Sequence, residues 1–333
     1  MYIGWREIRR SAGKFGLMAG VIALLAFMVV ALSALTGGLR DQSVSAVEDL
    51  PGSGLAVQVD GSGAAVGLGD SRLDPTAVRA IESADPGAAP LGITMTSVGF
   101  QDVNSAVAVF GRDNAGPGVR LNDETAKTLG VRVGSPVTVG GVESRVSSIG
   151  DTQQFAHSPV AEVNLDLWRQ AARRDDISAM ITTKEISGID GVSYAHGNAR
   201  LNLIPGYSSE HNSLLLIQGL LLVISAVVVG AFFAVWTGHR LASLAVVRAM
   251  GASKGYLVRD GLGQASVVLF TGLAVGAAAG AGVAWAAEGV VPIAITASGV
   301  LLPVVVMAVL GLAGAVLALR PLTSVDPLTA LNR

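Results

Sequence analysis

The chain has 333 residues, 51% hydrophobic and 14% charged; a soluble domain carries about 25% charged residues, so the composition excludes an ordinary soluble protein and predicts a membrane one. A net charge of −2 hides an asymmetry, because residues 41–213 hold 21 acidic and 12 basic side chains (net −9) and the remainder 4 acidic and 11 basic (net +7), a separation on which membrane topology acts. There is no cysteine, which excludes disulfide, Cys–zinc and thiol chemistry.

Residues 1–15 are basic and amphipathic, with Arg6, Arg9, Arg10 and Lys14, and lead into the apolar run 16–35. About 20 apolar residues suffice to span a bilayer. The run exceeds a signal-peptide core and no A-x-A-type cleavage site follows, so an uncleaved helix is expected. Leu39, Val44, Val47 and Leu50 extend an apolar face beyond it, Gly37–Gly38 offers a bend and Pro51 an end, which makes 16–50 one helix with an outward extension.

Residues 51–213 are the stretch able to form a soluble domain. Alternating runs such as GLAVQVDG, GITMTSVGF, SAVAVFG, SPVTVGG and SAMITTK read as strands. One helix is expected after Asp74, another between Asn122 and Gly130, and a third in NLDLWRQAARR, together a small α+β domain. His157 and His196 have no second ligand at metal spacing and read as loop or surface residues.

Three further apolar runs, 214–236, 262–287 and 299–319, are each long enough to span. The segment 237–261 holds His239, Arg240, Arg248, Lys254 and Arg259. Its Leu241, Leu244, Val247 and Met250 recur at helical spacing and predict a short amphipathic helix stopped at Gly251, a docking place for a partner. The loop 288–298 has no Lys or Arg, and 320–333 forms a tail. Positive charge stays on the cytoplasmic side, which puts both termini and 237–261 inside and 41–213 outside. Trp5, Trp236 and Trp285 fall near the expected interfaces. The expected fold is therefore an α-helical membrane protein with four transmembrane helices and one α+β extracytoplasmic domain inserted between helices 1 and 2.

No G-x-x-x-x-G-K-[ST] occurs, so this chain does not bind ATP by a P-loop; H-E-x-x-H is absent too. The third and fourth spans are rich in Gly and Ala, which lets helices pack closely. None of the four spans carries an ionisable residue in its middle, which argues against an ion-coupled transporter.

One span, an external domain, then three spans with a basic loop resembles the FtsX/MacB-type ABC transporter permeases. A-V-V-R-A-M-G-A-S (245–253) is similar to that family's hallmark loop, with Ser243 where an acidic residue commonly stands. P-L-T-S-V-D-P-L-T-A-L (321–331) is similar to its C-terminal signature, and LNDETAKTLGVRVGSPVTVGG and AHSPVAEVNLDLW to its periplasmic core. The resemblance implies a non-enzymatic subunit of the bacterial cytoplasmic membrane, paired with a second copy of itself. Two copies of a cytoplasmic ABC ATPase would bind the ATP and drive it by mechanotransmission, gripping Leu244, Val247, Arg248, Met250, Gly251 and Ala252. It implies no intrinsic cofactor and no nucleic-acid partner.

Within the family, the short external domain and the T-G-G-L at 36–39 look most like the haem-exporting permeases and the related DevC-like exporters. Haem needs apolar walls, an axial ligand and a cation for its propionates. Glu48 is the candidate iron ligand where the first helix emerges, Arg40 the propionate partner, and Tyr207, Glu210 and His211 cluster at the start of the second helix. Export of another amphiphile (peptide, antibiotic, lipid or lipoprotein) and a non-transporting mechanotransmitter are the alternatives.

Overall fold

The computed structural model describes residues 12–151 and 153–319. In chain order its elements are α1 (Ala12–Glu48), β1 (Gly54–Gln58), α2 (Pro75–Ala84), β2 (Ala89–Phe100), β3 (Val103–Arg112), β4 (Val119–Asn122), α3 (Asp123–Leu129), β5 (Pro136–Val139) and β6 (Val142–Gly150). There follow β7 (Gln154–Phe155), β8 (Ser158–Asn164), α4 (Leu165–Ala172), β9 (Ala179–Thr182), β10 (Val192–His196), a 3-10 turn (Gly197–Leu203), α5 (Tyr207–Ala249), α6 (Lys254–Ala286) and α7 (Ala297–Ala318). They sort into two units, residues 39–212 and, from both sides of it in sequence, 1–38 with 213–333.

The second of these is a helix bundle. Among the described residues four helices, of 22 to 36 residues, are long and apolar enough to cross a membrane, each with an 18-residue stretch at mean hydropathy 2.0 to 2.7. A helix satisfies its backbone internally, which is why apolar runs of this length take no other form in lipid. Ile22, Ala26 and Val29 of α1 pack with Val229 and Phe233 of α5, Leu269 and Leu273 of α6 and Met307 and Ala315 of α7. Small residues set the spacing. A Cβ on Gly276 of α6 would stand 2.2 Å from the carbonyl oxygen of Ala23 in α1, so the two backbones touch there. Phe15 and Trp236 meet edge-on at 5.7 Å, Trp285 is exposed, and Trp5 lies outside the described residues.

Two sequence expectations change here. The amphipathic segment 241–250 is no separate helix: α5 runs without a break from Tyr207 to Ala249, because no proline interrupts it after the apolar run. The same holds at Gly37–Gly38, where α1 continues through both residues. Their use is close approach rather than bending. A Cβ on Gly38 would lie 2.2 Å from the Pro292 carbonyl oxygen, and the N–H of Ala294 donates to the Ala34 carbonyl at 3.0 Å. The loop between α6 and α7 is thus laid directly on α1.

The inserted unit is α+β, with the three expected helices, the first two at the expected caps. Asp74 accepts from the N–H groups of Thr76 and Ala77, Asn122 from Thr125 and Asn164 from Leu167, and Gly130 closes α3 in the left-handed region at φ +67°. Around the sheet the order β2-β3-β8-β4-β6-β5 returns to β2 through Val98↔Val139 and Gly99↔Thr138, a closed six-stranded ring. The other end of the long β2 pairs with β9, and β1 and β10 extend the sheet from there. One strand therefore serves two sub-structures. Trp168 of α4 is fully buried in the ring's core with Val98, Val109 and Val163. Gly92 and Gly111, partners across β2 and β3, leave room for its indole. On the other core, Val44 and Val47 of α1 and Leu50 just beyond its end pack with Leu55, Ile93, Phe110 and Phe155, so the apolar extension expected beyond the first span exists and joins the domain's core.

Candidate functional site

Two places hold the residues singled out in the sequence. The first lies in the inserted unit, where the last turns of α1 meet the first turn of α5. Arg40 and Glu48 stand two helical turns apart on α1 and form an ion pair, with Asp41 3.7 Å from the same guanidinium. Tyr207 stands close enough to that guanidinium to interact with it electrostatically. The Tyr207 ring is buried in the core that holds α1's end, and His211, one turn on, stacks on it at 5.2 Å and 18°. Arg40, Glu48, Tyr207 and His211 are thus brought into one group.

Glu210 is turned to another partner. Its Oε2 lies 2.9 Å from Nε2 of His157, which also stands 3.0 Å from the Ser43 hydroxyl. His157 is, as expected, an exposed residue of a turn, and it is paired there with Glu210 and Ser43. An ionised carboxylate only accepts, so the proton of a neutral His157 belongs on Nε2. What the sequence withheld is that the β7–β8 turn lies against α1, His157 meeting Ser43 across 114 residues of sequence. The signal was AHSPVAEV, whose Ala-His step carries no turn glycine. His196 is exposed and stacks on Tyr194 at 5.9 Å. Among the described residues no group of three or more His, Asp or Glu is arranged to hold a metal ion.

The second place is the link from α5 to α6, only Met250 to Ser253. Gly251 takes φ +102°, a conformation open to glycine, and the Ser253 hydroxyl accepts from the N–H of Tyr256 to cap α6. Met250 is 75% exposed with Val246 beside it at 56%, an apolar edge facing outward at a chain reversal. Val247 and Ala252 are half-buried. Leu244 and Arg248 fall on the helix, but their side chains lie outside the described residues. The tail motif 321–331 lies outside them too.

Residues 215–327 match the family description "FtsX-like permease C-terminal". Over its full length the chain is 24% identical to HrtB of Staphylococcus haemolyticus, across 99% of that protein, whose name makes it a candidate permease of a hemin transport system. It is 22% identical, over the same shares, to the protein so named in Staphylococcus epidermidis. Among solved structures it is similar to the extracellular domain of the noncanonic ABC-type transporter YknZ from Gram-positive bacteria. There the match covers 40% of this chain and 84% of that one, at 10% identity and a TM-score of 0.30. That likeness decides nothing about this chain.

Proposed function

We propose that this chain, which matches the FtsX-like permease family over residues 215–327 and is similar from end to end to permeases named for hemin transport, is an ABC transporter permease that exports haem from the membrane by mechanotransmission. The observation that carries the cargo reading is this full-length homology. The group at the end of α1 supports it chemically. Haem asks for a carboxylate, phenolate or imidazole toward its iron and for a cation toward its propionates, and Glu48, Tyr207, His211 and Arg40 supply both kinds within one cluster. Within the cluster Arg40 neutralises Glu48. An arriving propionate would compete for the guanidinium and free the Glu48 carboxylate for iron. Two copies paired about a two-fold axis would bring two such carboxylates to one porphyrin.

This chain carries no P-loop, so the ATP chemistry belongs to a partner. The short α5–α6 link suits the contact: it is a reversal with exposed Met250, followed by the basic Arg259. Gripping it would move α5 and α6 directly, since α5 is one helix from that link to Tyr207. Charge puts the link in the cytoplasm and the inserted domain outside, where the cargo is released.

Haemin titrated into the purified permease is expected to give a saturable Soret shift, weakened at least about tenfold in affinity by Glu48→Ala, the loss of about 1.4 kcal/mol. Arg40→Ala is expected to weaken it less, through the propionates. No saturable spectral change in the unsubstituted protein sinks the haem reading. For the drive, Arg248→Glu with Met250→Asp is expected to abolish co-purification of the ATPase while the chain still inserts in membranes. Undiminished co-purification would remove the α5–α6 link from the contact.

A further inference from the structure

The six-stranded ring carries a cleft that the cluster at the end of α1 does not use. Its volume is about 880 Å³, within the range of small-molecule sites. It lies at the β2–β3 turn, the opposite end of β2 from Leu91 and Ile93, which belong to the core shared with α1. Val137 and Val139 face the ring's own core, so the alternate residues Pro136 and Thr138 face away from it. Gly99, Thr138 and Glu143 stand in register across β2, β5 and β6, with Pro136 and Arg145 as the next pair across β5 and β6. These residues form a floor three strands wide.

Two walls rise beside it. Pro117 and Gly118 make one, held against β6: Gly118 takes φ +92°, and a Cβ on it would stand 2.6 Å from the Arg145 carbonyl oxygen. Phe100 and Gln101 make the other. Gln101 sits in the left-handed region at φ +54°, in a two-residue turn where glycine, asparagine or aspartate is the ordinary occupant. A glutamine there sets a long amide on the rim. The lining thus mixes flat apolar groups (Phe100, Pro117 and Pro136) with Gln101, Glu143 and Ser147, whose side chains make no hydrogen bond among the described residues.

Charge and topology narrow what fits. The unit is the acidic part of the chain, net −9 over 41–213, and its charge places it outside the membrane. The cleft itself holds one acid and one base, Glu143 and Arg145. A polyanion is repelled by the unit as a whole, and a polycation is drawn to its acidic surface rather than to this neutral patch. An extended peptide would want an open strand edge, but β5 lies between β2 and β6, and β6 between β5 and β4. Recognition therefore falls to side chains. A sugar ring presents C–H groups on its faces and hydroxyls at its edge, which matches both kinds of lining.

We propose that this cleft binds an uncharged oligosaccharide, with ring faces on Phe100, Pro117 and Pro136 and hydroxyls on Gln101, Glu143 and Ser147. The full-length permease, purified in a detergent without a sugar headgroup, is titrated with chitotetraose, an acetylated amino sugar, and separately with maltotetraose, a plain glucan. Saturation-transfer NMR reads the binding. At least one of the two is expected to saturate, and which one does identifies the source. Glu143→Ala, which removes a charged acceptor, is expected to weaken that binding about tenfold. Ser147→Trp, which fills the cleft, is expected to abolish it, while Glu82→Ala on α2 should leave it within about twofold. Neither sugar saturating, or undiminished binding in either cleft variant, overturns the proposal. So does saturation by a neutral peptide, tetra-alanine, in place of the sugars. Hydrogen exchange on the unsubstituted protein avoids any folding question: sugar should protect amides in 99–101 and 143–147, and protection confined to other segments overturns the proposal. The haemin titration of Glu143→Ala separates this cleft from the cargo reading. An unchanged Soret shift is expected, and a weakened one would make the cleft a haem site instead.

Discussion

Single residues decide more of the inserted domain than their chemistry advertises. Asp85, just past α2, is buried and receives the N–H groups of Thr183, Lys184 and Gly87 and the Thr183 hydroxyl. Burial pushes its carboxyl up, and those four bonds outweigh the burial and hold it below the ordinary carboxylate value. A carboxyl depressed in the folded state stabilises the fold above its unfolded pKa, about 3.9, and gives that stability up as pH falls through the lower, folded value. Asp85→Asn is therefore expected to lower the melting temperature at pH 7 and to flatten its decline below pH 4. A variant that melts as the parent does at pH 7 would show that the four bonds carry no net stability. In sequence Asp85 was one aspartate among many; the bonds that matter come from 98 residues away, across β9. His157 was hidden for the same reason. Glu48 and Arg40 were legible, because both lie on one helix whose period the sequence states.

At the scale of elements, what was legible is what local rules encode. The helices α2 and α3 could be read because Asp74 and Asn122 announce them, and α4 from the stretch NLDLWRQAARR, which Asn164 turns out to cap. The strands β1, β2, β3, β5 and β9 could be read from their apolar runs, whereas β6, with Glu143, Arg145 and Ser147 exposed along it, could not. The ring closure from β5 back to β2 rests on two residue pairs and leaves no local trace. In the bundle, small residues signalled close packing without saying which helices meet. Gly272, Gly276 and Gly280 all turn out to face α1, at Ala19, Ala23 and Phe27. Gly276→Ala is accordingly expected to destabilise the bundle by about 1–3 kcal/mol, the usual cost of overpacking. Gly282→Ala, with nothing within 4 Å of its Cβ, should stay within about 0.5 kcal/mol. Thermal melts in one detergent compare them; equal effects would mean that the α1–α6 contact does not set the bundle's spacing.

For the whole molecule, the open quantity is which way it faces. Two facts bear on it together. The charge asymmetry puts net +7 on the segments flanking the spans and −9 on 41–213, and basic segments stay in the cytoplasm while acidic ones are free to cross. Four spanning helices return the chain to the side where it began, so the loop before α7 and the inserted domain share one side and the α5–α6 link lies on the other. Two exposed residues mark those sides, Val290 at 85% and Met250 at 75%. In a chain without native thiols each can be made the sole cysteine. With a membrane-impermeant maleimide added to intact cells, Val290→Cys should label at once and Met250→Cys only after permeabilisation. The reverse pattern would put the inserted domain in the cytoplasm, and an ATPase could then no longer reach the α5–α6 link. Labelling of both in intact cells would mean that α6 fails to cross. Either result would separate the exposed Met250 edge from any cytoplasmic partner.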